Sequence, residues 1–399
     1  MTDERQSDSS LAYATIDADN HYYETRDAFT RHIESRYRAR SIHTTVVDGE
    51  EIFLVDERPY HFAPVKFEKT NPPGSLTASL RDPTKRSYAS TFSEEEMLPA
   101  FQNRDARLAL MDRQNLEAAI LLPSLAVCVE HPLRHDPTLT AAVLRAFNRW
   151  LEDEWGYAYQ DRIFGVPLIG LRDLEAGCAE FERVLEAGAR LIHLQAGPID
   201  ERSPADPYFD PFWARVNEAQ IPVVYHIGDS GYNALFGTAW GEDPNPSVRT
   251  QSAFQWAFMH GDRPIMETLG ALTYHNLFGR YPDLRIVSIE NGSDWVAYLL
   301  KQLDKKKGMG RQGPWPGGYF KGRPSEILKR HLSLTPYPED DVRALIERMG
   351  DEHVLFGSDY PHPEGLAQPN AFAKLIDGLD DAATRRVMRG NTARLLGLS

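Results

Sequence analysis

The stretch ATIDADNHYYE (14–24) joins a small apolar lead-in to a run of acids and a histidine. Side chains along a strand alternate faces with a period of two, so Asp17, Asp19 and His21 are expected on one face. Burying two carboxylates and an imidazole together is costly unless something offsets the charge. Other short apolar runs also end in ionisable residues: His193 in ARLIHLQ, His226 in PVVYHI, Glu290 in LRIVSIE and Asp359 in HVLFGSD. Two imidazoles and two carboxylates converging on one point would hold a divalent cation, and mixed nitrogen and oxygen donors suit Zn²⁺ or Mn²⁺. Each residue alone also has an ordinary structural use. Asp17 or Asp19 could cap the next segment, His226 could be a satisfied core histidine, and Asp359 could be an N-cap beside Ser358 and Pro361.

The elements that must position these groups follow from the pattern of the chain. Short β-rich runs at 14–19, 116–122, 163–170, 189–195, 222–227, 284–290, 331–337 and 353–359 are mostly separated by helical segments. Such alternation implies parallel strands with crossover helices, and eight strands suggest an α/β fold of the (β/α)8 TIM-barrel type. In that fold the chemistry lies at the carboxyl ends of the strands, which is where the ionisable residues fall.

A barrel needs about 250 residues, so this chain of 399 carries long insertions. They are placed at 25–100, 231–262 and 305–324, and the first contains a β-hairpin signal, alternating residues around Asp48-Gly49. One barrel domain over 14–399, after a disordered tail at 1–13, is the expected organisation. Aromatic residues in the second insertion, Tyr232 and Trp240 among them, suggest a lid over the barrel mouth; a small satellite core is the competing reading.

With 42% hydrophobic and 26% charged residues the composition is that of a globular protein, and the formal charge of −14 argues against nucleic acid and anionic membranes as partners. The polar N-terminus lacks the layout of a signal peptide and two cysteines make no disulfide framework, so the cytoplasm is the expected location.

These residues carry a resemblance. IDADNHYYE (16–24), RLALMDRQNLEAAILLP (107–123), PVVYHIG (222–228), RYPDLRIVSIENGSDW (280–295), VLFGSDYPHPEG (354–365) and NTARLLGL (391–398) are similar to motifs of the amidohydrolase superfamily. The branch concerned is that of aminocarboxymuconate-semialdehyde decarboxylase and related aromatic-acid decarboxylases. The resemblance implies one divalent metal ion, Zn²⁺ or Mn²⁺, held by Asp19, His21, His226 and Asp359. Asp19 stands where many members have the first histidine of an H-x-H pair, and Asp359 is implied to exchange a proton with substrate or water. Decarboxylases of this branch commonly carry a histidine at the end of strand six. Glu290 replaces it here, so either Glu290 or His275 is the candidate for that acid–base part, although His275 falls in a helical stretch. Tyr23, Glu24, His193 and His362, with Tyr232 and Trp240 of the insertion, are candidate substrate contacts.

The implied activity is metal-dependent decarboxylation of a small, aromatic or cyclic carboxylic acid with Asp359 as proton donor. Hydrolysis of a carbon–carbon, amide or lactone bond by an activated water is the alternative, and a non-catalytic metal-bound scaffold is the third reading. Barrels of this family often form homo-oligomers, dimers or larger, and the hairpin at 42–62 is a candidate contact.

Overall fold

The computed structural model describes residues 11–76, 94–248 and 250–399. Residues 1–10 of the expected tail and 77–93 of the first insertion lie outside the described residues. Residues 11–13 are held rather than free: Tyr13 packs under the Arg385 guanidinium at 4.7 Å, and its carbonyl accepts from Asn115 Nδ2 at 3.1 Å.

Twelve strands are described, β1 Thr15–Tyr22, β2 His43–Val47, β3 Glu50–Val55, β4 Arg58–Tyr60, β5 Lys69–Thr70, β6 Glu95–Glu96, β7 Leu116–Pro123, β8 Ile163–Gly165, β9 Ile192–His193, β10 Val223–His226, β11 Ile286–Ile289 and β12 Leu332–Leu334. The parallel set runs β1-β7-β8 and β9-β10-β11-β12. Single parallel bridges join the two sheets: Leu168 to His193 on one side, then Leu334 to Val354 and Asn20 to Tyr360 on the other. The segment 354–360 therefore takes the eighth position, bonded to β1 through Ala18 N to Phe356 O and His21 N to Tyr360 O, both 2.8 Å. Seven of the eight expected strands are found at their places, and the eighth, 353–359, is a segment tied in by single bridges at Val354 and Tyr360. Several are shorter than their apolar runs; β8 ends two residues before Pro167, which has no N–H to give the ladder.

Alternate residues of these strands, Ile16 and Ala18, Ala118, Ile120 and Leu122, Val224, Val287 and Ile289, fill the barrel interior. Leu395 and Leu396 of the last helix, Asn391–Leu396, close its lower end, and burying such side chains contributes about 1.5–3 kcal/mol each. The outer faces pack on amphipathic helices such as Pro137–Glu154. Asp136 caps that helix by accepting from Leu139 N, Pro137 starts it, and Leu139, Val143, Phe147 and Trp150 bury one stripe.

The first insertion is an antiparallel meander, β2-β3-β4. Asp48 and Gly49 turn it with φ of 52° and 85°, and Asp56 and Glu57 make a second turn with both φ positive, the geometry that suits a two-residue hairpin loop. The second insertion folds as short helices, Tyr232–Leu235, Gly237–Trp240 and Ala253–Phe258. In the third, helix Asp294–Met309 extends through the lysine run, and Lys307 Nζ donates to Phe320 O at 2.8 Å. Among the described residues no helix is long and apolar enough to cross a membrane.

Candidate metal centre and active-site cavity

Strand β1 departs from simple alternation. Asp17 lies opposite Ala119 and Asn20 opposite Leu121, so three steps on β1 match two on β7. This bulge shifts the parity of the strand, a common device for re-aiming a side chain. Asp17 is thereby removed from the face it was expected to share with Asp19 and His21. Its carboxylate instead accepts from Ser358 N at 3.0 Å, Ser358 Oγ at 2.5 Å, Asn20 Nδ2 at 2.9 Å and Asp19 N at 3.1 Å. Burial pushes it up to about 7. Asp17 ties β1 to the eighth segment, a structural role.

Past the bulge, Asp19 and His21 reach the barrel mouth. His21 Nε2 lies 3.2 Å from Asp19 Oδ1, 3.5 Å from Glu290 Oε2 and 3.3 Å from Asp359 Oδ1. His226 Nε2 is 3.3 Å from His21 Nε2 and 2.9 Å from Glu290 Oε2. His226 Nδ1 is 2.6 Å from Ile227 O, so Nδ1–H donates there and Nε2 is the ring nitrogen turned into the cluster. Asp19, His21, His226 and Glu290 offer ligand atoms all within 4.8 Å of one another, and His21, Glu290, Asp359 and His362 form an overlapping group.

The backbone is bent to make this convergence. Glu290 and Asp359 have φ of 53° and 54°, a left-handed conformation that costs non-glycine residues energy and recurs at functional sites. Glu290 is held there by Thr335 Oγ1, which accepts from its N–H at 3.0 Å, and by Tyr337 OH, which donates to its carbonyl at 2.8 Å. Asp359 N donates to Asp19 O at 2.8 Å. Gly357 of the GSDYPH motif permits that closeness, since a Cβ there would meet Asp19 Cβ at 2.7 Å and Thr335 Cγ2 at 2.8 Å.

The electrostatics are those of a crowded acidic pocket. Burial pushes the Asp359 carboxyl well above the usual range, and the charges of Glu290, Glu364 and Asp19 add to the effect. Burial would lower His226, yet Glu290 and Asp19 beside it hold the imidazole up at about 10. Conversely, burial would raise Glu290, but His226 and His21 hold it below the usual carboxylate range. Glu290 Oε2 approaches His226 Nε2 without hydrogen-bond alignment and makes no hydrogen bond.

Beside the cluster, His362 Nδ1 meets Asp359 Oδ1 at 2.7 Å, and Ser124 Oγ lies 2.8 Å from His362 Nε2. Tyr23 lines the same cavity, its phenol accepting from Thr70 Oγ1 at 2.7 Å. Glu24 lines it too, but its carboxylate is used by the backbone. Oε1 accepts from Leu125 N and Ala126 N, both at 2.9 Å. Glu24→Ala is therefore expected to cost about 2–3 kcal/mol of stability by stranding those amides, with bound metal unchanged. Denaturant unfolding and metal quantification on one preparation check both halves.

Other expected contacts are not brought to the cluster. His275 ends helix Asp262–Tyr274, and its carbonyl accepts from Arg280 Nη1 at 2.7 Å; it lies off the cavity lining, which includes Glu290. Tyr232 is buried, donating to Glu267 at 2.7 Å, and Trp240 is 71% exposed, packed on Phe254 at 5.5 Å. Neither lines the cavity: these aromatics pack on their own insertion. His193 is buried behind His226, lowered to about 3 by burial and by the charge of His226, and it too lies off the cavity lining.

Two features escaped the sequence reading. Arg107 is fully buried and donates to Ala100 O at 2.7 Å, to His21 O at 2.6 Å and to the side chain of Asn20. The described residues also enclose a cavity of about 980 Å³ above the cluster. Its walls include Phe53, Phe62 and Phe67 from the first insertion and Trp256 and His260 from the second. An arginine in a helical apolar pattern gives a weak sequence signal, and contacts between two insertions give none.

A family model described as amidohydrolase matches residues 16–398. Gamma-resorcylate decarboxylase of Rhodococcus jostii (strain RHA1) is 25% identical over 336 residues, covering 77% of this chain and 92% of that protein. The crystal structure of an amidohydrolase from Mycobacterium avium subsp. paratuberculosis K-10 superposes with a TM-score of 0.89 at 36% identity, covering 98% of this chain and 99% of that one. A dihydroxybenzoic acid decarboxylase from Polaromonas sp. JS666, solved with bound manganese and the inhibitor 2-nitroresorcinol, gives a TM-score of 0.58 at 18% identity over 96% and 97% of the two chains. The chain belongs to the amidohydrolase family and is an enzyme of the amidohydrolase superfamily, with aromatic-acid decarboxylases among its relatives.

Proposed function

We propose that this protein is a metal-dependent decarboxylase of an aromatic carboxylic acid. The observation that carries the reading is the cluster itself. Two imidazole Nε2 atoms 3.3 Å apart, ringed by Asp19, Glu290 and Asp359, lack a hydrogen-bond scheme that satisfies them all. A buried acidic set of this kind fits a divalent cation, which oxygen-rich nitrogen–oxygen donors bind as Mn²⁺ or Zn²⁺. Asp19, His21, His226 and Asp359 would hold the ion, with Glu290 within reach. A bound manganese in the Polaromonas decarboxylase supports the choice of Mn²⁺ first.

When bound, such an ion supplies positive charge for the substrate carboxylate and an adjacent ring hydroxyl. The chain's own residues supply the rest. Burial and the neighbouring acids favour the protonated form of the Asp359 carboxyl. Asp359 delivers that proton to the ring carbon bearing the carboxylate. The carbon–carbon bond then breaks, its electron pair returns to the ring and carbon dioxide leaves, while Asp359 recovers a proton from water. His362 keeps the Asp359 carboxyl oriented through its 2.7 Å contact. The apolar walls exclude competing water.

The strand-six glutamate favours a second reading, hydrolysis of a carbon–carbon, amide or lactone bond, in which Glu290 or Asp359 takes a proton from attacking water. One experiment separates the two. Protein supplied with Mn²⁺ is expected to release carbon dioxide from ortho-hydroxylated aromatic acids, to stop on chelation and to recover when Mn²⁺ is restored. Hydrolysis of lactones or amides with no carbon dioxide from any acid would move the assignment to the second reading.

A further inference from the structure

The cavity is larger than a single-ring acid needs. At about 980 Å³ it stands at the upper end of the roughly 300–1,000 Å³ of sites that enclose drug-sized ligands. Its distal wall is aromatic and is built by two insertions that meet across the mouth. Val248 N donates to Phe62 O at 3.2 Å, joining the second insertion to the first. The His260 ring stacks on Phe62 with centroids 5.3 Å apart and meets Trp256 at 5.2 Å, while its Nε2 lies 2.5 Å from Gln251 Oε1. Phe53 and Phe67 form an edge-to-face pair at 5.8 Å on the same wall. The ionisable cluster and this aromatic wall line one continuous cavity.

We propose that the substrate is an aromatic acid bearing a bulky apolar extension, a second ring or a comparable hydrocarbon group, on the side of the ring away from its carboxylate. Trp256 and Phe62 are the residues that select for it. This rests on the decarboxylase reading only for the identity of the reacting end. A single ring seated at the cluster leaves the Trp256 face, 44% exposed, in contact with water, beside the already buried Phe53 and Phe62; an apolar extension laid against that wall would leave water together with the Trp256 face. Burying one further phenyl ring is worth about 1.5–3 kcal/mol, which converts to a tightening of about 10- to 100-fold.

The test is equilibrium binding to the Mn²⁺-supplied protein by calorimetry. The probes are 2-nitrophenol and its phenyl derivatives, substituted meta or para to the nitro group, which stands in for the carboxylate and cannot leave as carbon dioxide. The best phenyl derivative is expected to bind at least about 10-fold more tightly than 2-nitrophenol. Trp256→Ala is expected to bring that ratio below about 3, while Trp256→Phe, which keeps an aromatic face, largely preserves it. Phe62→Ala repeats the test from the opposite insertion. Equal binding of all probes by the wild type overturns the proposal, as does a ratio that neither alanine variant reduces.

Carbon dioxide release from 2-hydroxybenzoate and its phenyl derivatives is measured alongside. Preferential binding of phenyl probes with no carbon dioxide from any acid leaves the substrate class standing and removes the decarboxylase reading. Turnover of single-ring acids with no phenyl preference in binding or rate does the reverse.

Discussion

Asp359→Asn is expected to lower kcat for carbon dioxide release by about 10²–10⁴-fold, the usual worth of a positioned proton donor. Asparagine is nearly isosteric and keeps an oxygen where Oδ1 now faces His21 Nε2 and His362 Nδ1, so the ring can still be bound. It has no acidic proton to deliver. The loss should therefore appear in kcat with KM changed far less, the pattern of an interaction used only in the transition state. Metal content measured on the same sample guards against a trivial cause. An asparagine variant that retains metal and turns over within about 10-fold of wild type would exclude Asp359 as the donor.

The second large effect concerns stability. Arg107→Met should lower it by about 3–5 kcal/mol, read as a shift in denaturant midpoint with an unchanged slope. The guanidinium is wholly buried with no carboxylate bonded to it, and burial lowers it to about 10, so it stays charged at neutral pH. What it satisfies are oxygens: the carbonyls of Ala100 and His21 and the side chain of Asn20. Methionine fills much of the volume but strands those acceptors, at about 1–3 kcal/mol each, offset partly by no longer burying a charge. Because the His21 carbonyl is one of them, surviving protein should also bind metal more weakly. A variant as stable as wild type would mean that Arg107 is a passenger in the core.

How much of this was legible in the sequence depends on the range of the interaction. The barrel was, because alternating apolar runs and helices report local periodicity that packing then uses. Asp19, His21, His226, Glu290 and Asp359 could be grouped for the same reason: they stand at or near the ends of four strand segments, and the fold brings those ends together. Asp17 was misassigned because parity arguments assume an unbroken strand, and the bulge before Asn20 is set by pairing with β7 and by Ser358, far off in sequence. Tyr232 and Trp240 lie off the cavity lining, because aromatic clustering does not say which way a short helix turns its faces. The rings of that insertion that do line the cavity, Trp256 and His260, pack with Phe62, nearly 200 residues away.

The central claim is that β1, β10 and the eighth segment together hold a metal ion. It is tested most directly by quantifying bound metal in protein purified without added metal and again after incubation with Mn²⁺ or Zn²⁺, for the wild type, Asp19→Ala and His226→Ala. The account predicts about one equivalent in the folded wild type and little in either variant, with circular dichroism showing all three folded. A folded wild type that stays empty after incubation with either ion would contradict it.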